Sequence, residues 1–498
     1  MTLHELLADT VAAHPDATAV TDAEGSWSYA QLAAEARKFT GWLQERGVGP
    51  GDRVCVRLGN VRELVAMLFG TAANGSVFVP LGPALKRYHL ESILADCEPA
   101  VTIADGADTA LPAGLTGRVV DAGTVRAELD GAPEPVLKPV GEDDLALLMY
   151  TSGSTAAPKG VMCPHGAAVF ATRAIAERLA YRADDVVLTA IPLSFDYGLY
   201  QVFLSVLAGA EVVLTQPDAH TRLIGLLYEH GVTVVPLVPS LAEMLLRLSM
   251  RNRRELPPPV RLFTNTGAAL VGPVIQRLRE TFPQARVAPM YGITECKRVT
   301  VLEPDGDLQR PGSVGRALTG TEVLILDEEL RPLPAGGTGQ IAVRGPHLMA
   351  GYWRAPEMTA ARYHRSPDGT EVTLLTGDYG RLDAEGHLYF EGRRDDLFKR
   401  HGVRTSVSEI EAAALDVDGV TEAAVLPPEG ERDLTLIAVT TLTPDQVLAA
   451  LGERLEQVKV PAVCLVREAL PLTPNGKTDR NRLRDELRAA GPSQERTA

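Results

Sequence analysis

What this chain of 498 residues lacks narrows it first. No stretch approaches the roughly 18 uninterrupted apolar residues that a membrane-spanning helix requires, so no membrane partner is expected. Basic residues fall short of acidic ones, 49 against 64, for a net charge of −15. That balance argues against a general nucleic-acid binder, while a local basic pocket stays compatible with it. Cysteine is scarce: Cys55, Cys97, Cys163, Cys296 and Cys464 are odd in number, widely spaced and contain no CxxC pair. Neither a disulfide framework nor a zinc knuckle is indicated, and the usage points to the cytoplasm. The ten histidines form no HExxH or similar metal pattern and read as scattered surface and core residues. No repeat of solenoid period is present. The first segment, MTLHELLADTVAAHPDA, carries acids within its apolar pattern and no basic leader, so no secretion signal is expected.

What remains is an ordinary globular composition, 45% hydrophobic and 23% charged. A prior of about 150 residues per domain suggests roughly three compact units. Strand-like apolar runs alternate with amphipathic helical segments, the α/β pattern. Early on, SYAQL leads into AAEARKFTGWLQERG, where Ala33, Phe39 and Leu43 recur at helical spacing and Gly47 suits a stop. GVGPGDRVCVRLG reads as turn, strand, turn. AEVVLT, VTVVPLV and VRLFTNTG read as buried strands, and TEVLILD, GQIAVRG and GHLYFEG as later strands with glycine-rich turns. Near Gly392 the composition shifts: GRRDDLFKRHG crowds charge between glycines, and a short helix–strand–strand–helix pattern follows (SEIEAAALDVDG, VTEAAVLPP, LTLIAVTTL, TPDQVLAALGERL). The predicted fold class is α/β: a large multi-sheet N-terminal domain over 1–394, a small α+β domain over 395–490, and a frayed tail over 491–498.

The most informative segment runs from Tyr150 to Gly160, YTSGSTAAPKG, behind the apolar strand LALLMY. Small residues let backbone N–H groups approach an anion, and the hydroxyls and Lys159 add donors and charge. A P-loop places Gly directly before its Lys-Ser/Thr pair, whereas here Pro158 precedes Lys159 and Gly160 follows. The composition by itself also suits a Ser/Gly-rich surface loop.

As a string, TSGSTxxPKG resembles the phosphate-loop signature of the adenylate-forming superfamily, which includes acyl-CoA synthetases, peptide-synthetase adenylation domains and luciferases. Further segments match that family in order: GVGPGDRVCVRL, Tyr291-Gly-Ile-Thr-Glu295, Gly339–Gly345 followed by GYW, Thr376-Gly377-Asp378, Gly392-Arg393-Arg394-Asp395 through Lys399 and Gly402, and Pro474-Asn-Gly-Lys477. The resemblance implies an ATP- and Mg²⁺-dependent joining of a carboxylate to the α-phosphate of ATP, chemistry that rests on positioning and charge stabilisation. Lys477, Thr151 and Glu295 are its implied catalytic residues, with Lys477 bridging the acid's carboxylate and ATP oxygens. Thr151, Ser152, Gly153, Ser154, Thr155 and Lys159 would hold phosphates, and Asp378 the ribose hydroxyls, with Arg393 on ribose or phosphate. Glu295 and Thr294 would serve Mg²⁺ and the α-phosphate, since Mg²⁺ uses few carboxylates. Gly267, Ala268 and Ala269 would face adenine, beside Met290, Tyr291 and Gly292. Phe390 stands where many relatives carry a nucleotide-contacting Tyr, so that hydroxyl contact is missing here. Asp395 matches the family's hinge, and Lys399, Gly402 and Arg404 its phosphopantetheine channel, although a solvated basic face reads equally well.

The acid is addressed by Pro192-Leu-Ser-Phe195-Asp196-Tyr-Gly-Leu-Tyr. In peptide-synthetase adenylation domains an FD pair stands here and its Asp holds the substrate ammonium, a cation that a buried carboxylate needs. A hydrogen-bonded core aspartate is the alternative. By resemblance the pocket walls are Phe195, Asp196, Tyr197, Tyr200, Pro236, Thr264, Thr266, Met290, Lys297, Arg298 and Val299, closed by Lys477. The run Cys296-Lys297-Arg298 is unusual, because most relatives place small or apolar residues there. A pocket arginine wants an anion: a second carboxylate on the substrate, or Asp196 itself. This is similar to stand-alone enzymes that load β-amino acids, aspartate-like ones among them, onto carrier proteins. The resemblance therefore implies adenylation of a carboxylic acid, by preference an amino acid with β-amino and dicarboxylic acids as candidates. Transfer to the phosphopantetheine thiol of a separate carrier protein would follow, since the chain ends about twenty residues after Lys477 with no carrier-type domain. The alternatives are a fatty- or aryl-acid coenzyme A ligase, a luciferase-type oxidase and a non-catalytic nucleotide-binding scaffold.

Overall fold

The computed structural model describes residues 1–85, 87–106, 118–151, 158–251, 257–393, 397–400, 403–429, 432–455, 457–473 and 477–490. Among these, two sheets carry the N-terminal domain. A six-stranded sheet runs in the spatial order Arg118–Asp121, Val101–Ala104, Arg53–Arg57, Val77–Pro80, Leu145–Thr151, Lys159–Pro164. All neighbours are parallel except the last pair, a hairpin that sets Thr151 opposite Lys159. A nine-stranded sheet places five parallel strands at its centre: Glu211–Leu214, Val186–Thr189, Val234–Leu237, Leu262–Asn265 and Arg286–Tyr291. Their residues are almost all buried, as befits strands covered on both faces by helices.

The strand readings hold to within two or three residues at each end. SYAQL is different: it is the first turn of the helix Tyr29–Glu45, not a strand. Ser28 caps it reciprocally with Gln31, the Gln31 N–H donating to Ser28 Oγ at 3.2 Å and the Ser28 N–H to Gln31 Oε1 at 2.8 Å. The S-x-x-Q spacing satisfies two amide groups that a strand would have spent on a neighbour. Phe39 and Trp42 of this helix stack at 5.5 Å inside the core, while Ala33 stays half-buried.

A third, antiparallel sheet is built from Glu322–Leu326, Thr338–Arg344, Val372–Leu382, Tyr363–Arg365 and Leu388–Arg393. Beyond it a small three-stranded sheet, Val420–Leu426, Thr435–Thr440 and Val463–Arg467, is covered by the helices Val407–Leu415, Pro444–Gly452 and Arg480–Ala490. This C-terminal part has cores of its own, one around Val407, Ile410, Leu436 and Leu451 and one around Leu426, Ile437, Leu470 and Leu483. They are separate from the core of the large domain. The predicted α/β class with a large and a small domain is the fold observed. All five cysteines are free and buried. No helix among the described residues is long and apolar enough to cross a membrane.

Candidate active site

In a parallel sheet ligands collect beyond the carboxyl ends of the strands, where backbone groups leave the ladder and loops diverge. The nine-stranded sheet obeys this. A cleft of ≈ 3160 Å³ is lined by Ala190 and Pro192–Tyr197 after one strand, by Pro239 and Ser240 after the next, by Thr266–Gly272 after the third, and by Gly292–Glu295 after the fourth. Thr151 and Lys159 of the hairpin, Asp378 of the third sheet and Lys477 of the small domain line it as well. The volume admits a nucleotide and a second small molecule together.

The segment Thr376-Gly377-Asp378 is held by geometry that favours glycine. Gly377 has φ +77°, and a Cβ there would come within 2.5 Å of the Arg362 guanidinium. The turn delivers Asp378 to the cleft, its N–H donating to Thr376 Oγ1 at 3.1 Å. The Tyr291 hydroxyl donates to Asp378 Oδ2 at 2.6 Å, and Phe390 packs on the Tyr291 ring at 5.4 Å. Burial and the carboxylate beside it push the Tyr291 hydroxyl well above the ordinary tyrosine range, so it stays a donor.

Glu295 accepts from the Tyr352 hydroxyl at 2.6 Å. Burial, with Glu295 beside it, also pushes that tyrosine up. Tyr352 in turn lies under the Lys159 ammonium, 6.0 Å from ring centroid to Nζ. The motifs around 151–159 and 291–295 thus meet through Tyr352, the tyrosine of the GYW segment. Nothing in the spacing links position 352 to position 295. No group of three or more His, Cys, Asp or Glu side chains among the described residues is arranged to hold a metal. A magnesium ion carried with nucleotide phosphates needs less, and the single carboxylate of Glu295 in the cleft wall fits it.

Lys477 reaches the same cleft from the small domain. Its Nζ stands 5.8 Å from the Phe195 ring centroid, and its side chain lies 3.7 Å from where a Cβ on Gly267 would be. Gly267, at φ +84°, leaves that path open.

The FD segment opens the helix Asp196–Ala208. Asp196 is 5% exposed and Arg298 3%, and Arg298 Nη1 lies 3.7 Å from Asp196 Oδ2. The guanidinium sits 4.8 Å over the Tyr197 ring and donates to the Lys297 carbonyl at 2.9 Å. Arg298 Nε and Thr266 Oγ1 are buried without a hydrogen-bond partner. Asp196, Arg298 and Thr266 are all among the residues that line the cleft, so its wall holds a loose ion pair beside two unsatisfied polar atoms.

Of the expected site residues, Thr151, Lys159, Phe195, Asp196, Tyr197, Thr266, Gly267, Ala268, Ala269, Met290, Tyr291, Gly292, Thr294, Glu295, Arg298, Asp378, Phe390 and Lys477 line this one cleft. Tyr200, Pro236, Thr264, Lys297 and Val299 do not; they are buried behind it. Thr264 shares a hydrogen bond with the Tyr197 hydroxyl at 2.8 Å, Val299 donates its N–H to the Tyr291 carbonyl at 2.8 Å, and Pro236 pairs with Thr264 inside the sheet. They shape the wall through the residues in front of them. Ser152, Gly153, Ser154, Thr155, Asp395 and Gly402 lie outside the described residues, as do the side chains of Arg393, Lys399 and Arg404.

With the geometry in place, the likeness to known proteins is specific. The chain is 34% identical over 510 aligned positions to the phosphinothricin tripeptide synthetase PhsC of Streptomyces viridochromogenes, an alignment covering 98% of this chain but 46% of that one. The chain thus spans less than half the length of this relative. Among solved structures, VinN in complex with L-aspartate is 42% identical with a TM-score of 0.72, over 79% of this chain and 98% of that one. ATP-bound MatB from Rhodopseudomonas palustris is 29% identical with a TM-score of 0.87, over 98% and 99%. The family model of the AMP-binding enzyme matches residues 7–353 and that of the AMP-binding enzyme C-terminal domain residues 409–477. The chain belongs to the AMP-binding enzymes of the adenylate-forming superfamily.

Proposed function

We propose that this protein uses ATP to activate an amino acid bearing a second carboxylate and then passes it to the phosphopantetheine thiol of a carrier protein. In the first step a carboxylate oxygen of the acid attacks the α-phosphorus, the bond to the bridging oxygen breaks, and pyrophosphate leaves. In the second the thiol sulfur attacks the acyl carbon, its proton is lost, and AMP leaves. Two anions must meet in the first step, so the useful groups are cations and oriented donors. Lys477, against Phe195 and Gly267, is the cation for the carboxylate and the α-phosphate. Asp378, held by Tyr291, takes the ribose hydroxyls. Lys159 and Thr151 serve the outer phosphates, and Glu295 would hold magnesium, whose charge would offset that of the phosphates.

The observation that carries the choice of acid is the buried Asp196–Arg298 pair in the cleft wall. Asp196 offers a carboxylate to the substrate ammonium, and the displaced guanidinium offers donors to an additional carboxylate. The likeness to VinN, a protein solved with L-aspartate bound, supports the same reading. Pyrophosphate exchange into ATP tests it: L-aspartate should exceed both succinate, which lacks the ammonium, and L-asparagine, which lacks the second charge. Equal exchange with all three, or none with any, defeats the proposal. A second reading, a coenzyme A ligase for a fatty or aryl acid, draws on the likeness to a fatty acyl CoA synthetase of Mycobacterium tuberculosis, 27% identical over 99% of this chain. It requires fatty or aryl acids to win and free coenzyme A to be the efficient acceptor.

A further inference from the structure

We infer that Lys297 is a positioning residue for substrate selection: tethered to Cys163 behind the pocket, it fixes the backbone that aims Arg298 at Asp196. The inference rests on the reading of Arg298 as the recogniser of a second carboxylate.

Lys297 has no exposed surface, an unusual place for a side chain that almost always keeps its ammonium in water. It does not line the cleft. Its Nζ donates to Cys163 Sγ at 3.3 Å and stands 5.6 Å from the Tyr200 ring centroid, so thiol and aromatic face together solvate the charge. Its backbone is equally unusual. At φ +67° it occupies the left-handed region, which a long side chain adopts only where the surroundings compel it. They do: the Lys297 N–H closes a turn on the Ile293 carbonyl at 2.7 Å. On the other side, a Cβ on Gly292 would meet the Lys297 carbonyl oxygen at 2.0 Å. The contact of its tip with Cys163 adds a side-chain anchor to these backbone restraints.

The twist has a consequence one residue on. It turns the Lys297 carbonyl toward its neighbour's side chain, where it accepts from Arg298 Nη1 at 2.9 Å. That bond and the Tyr197 face hold the guanidinium where Nη1 is 3.7 Å from Asp196 Oδ2. The tether itself is rigid. Cys163 lies on the strand Lys159–Pro164, paired with Leu147 and buried. That strand is the second arm of the hairpin that presents Thr151 and Lys159. A selectivity residue supported from a strand is placed more firmly than one left to its loop.

The test uses the full chain and two probes, L-aspartate and L-asparagine, which differ in the second charge and little in shape. The wild type should favour L-aspartate in kcat/KM by about tenfold or more, the range that a buried polar partner supplies. C163A keeps the lysine but removes its anchor, and K297M keeps the length but removes the charge. Both should reduce that ratio about fivefold or more, with the loss falling on KM for L-aspartate rather than on kcat. ATP affinity and the unfolding midpoint serve as controls for a general structural effect. A wild type without preference for L-aspartate overturns the underlying reading and this inference with it. A wild type that prefers L-aspartate, with C163A retaining the full preference, overturns this inference alone, whatever K297M does or whether it folds.

Discussion

Replacing Arg298 by Met tests the electrostatics of the pocket without any substrate. The two charges stand 3.7 Å apart with almost no exposed surface. At an effective dielectric constant of about 20 their attraction is roughly 4 kcal/mol. The attraction is largely spent on desolvating both groups, so the pair adds little to net stability. Removing one member is different, because the survivor stays buried without a counter-charge, at a cost of about 3–5 kcal/mol. R298M should therefore lower the free energy of unfolding by about that amount, whereas the double variant D196N/R298M should recover most of the loss. Denaturant unfolding of the ligand-free protein reads both, provided the slope with denaturant is unchanged. An amino acid without a second carboxylate, such as L-alanine, should stabilise R298M more than the wild type, its ammonium meeting the unpaired Asp196. If R298M costs less than about 1 kcal/mol, or the double variant is no better than the single one, the pocket is not built on this pair.

Three further outcomes are expected. K477A should reduce pyrophosphate exchange by about a hundredfold or more, the scale of removing one preorganised charge-stabilising donor, with the unfolding midpoint kept. Full exchange in that variant would dismiss the lysine from the chemistry. Y352F deletes the donor on Glu295 and should raise the magnesium concentration for half-maximal exchange by about tenfold; an unchanged magnesium curve refutes that role. His165 and His347, both held down to about 4 by burial, stay neutral in the folded protein at pH values where the unfolded chain protonates near 6.5. Below that value the unfolded state binds more protons. Each histidine's contribution is thus present above about 6.5 and lost as pH falls toward 4, by about 2 kcal/mol between pH 7 and pH 5. H347L should flatten the pH dependence of the denaturant midpoint, to which His165 and the half-buried His4 also contribute, and an unchanged slope would show that His347 is not buried neutral.

Much of this site could be read from the chain because its parts are local. The Thr376-Gly377-Asp378 turn, the FD opening a helix and the Thr266–Ala269 segment after a strand each depend on residues adjacent in sequence, whose conformations and side chains travel together. Local rules also misled when only part of them was applied. In SYAQL the apolar spacing suggested a strand, but the Ser28–Gln31 capping box marks a helix start. The pocket walls separate on the same principle. Asp196 and Arg298 come to the surface of the cleft, while Tyr200, Thr264, Lys297 and Val299 stand behind it. Which member of a strand or helix faces the cavity depends on how that element is rotated and covered.

The sequence by itself determined the family, the α/β class with its small second domain, and most of the segments that meet in the cleft, because short motifs encode turns and donors at fixed spacing. Only the tertiary structure decided how those groups support one another. Tyr352 meets Glu295 across 57 residues, Tyr291 meets Asp378 across 87, and Lys297 meets Cys163 across 134. None of these partners shares an element. Each contact exists because one packed layer docks on another, and a docking is fixed by the summed burial of many side chains rather than by the two that touch.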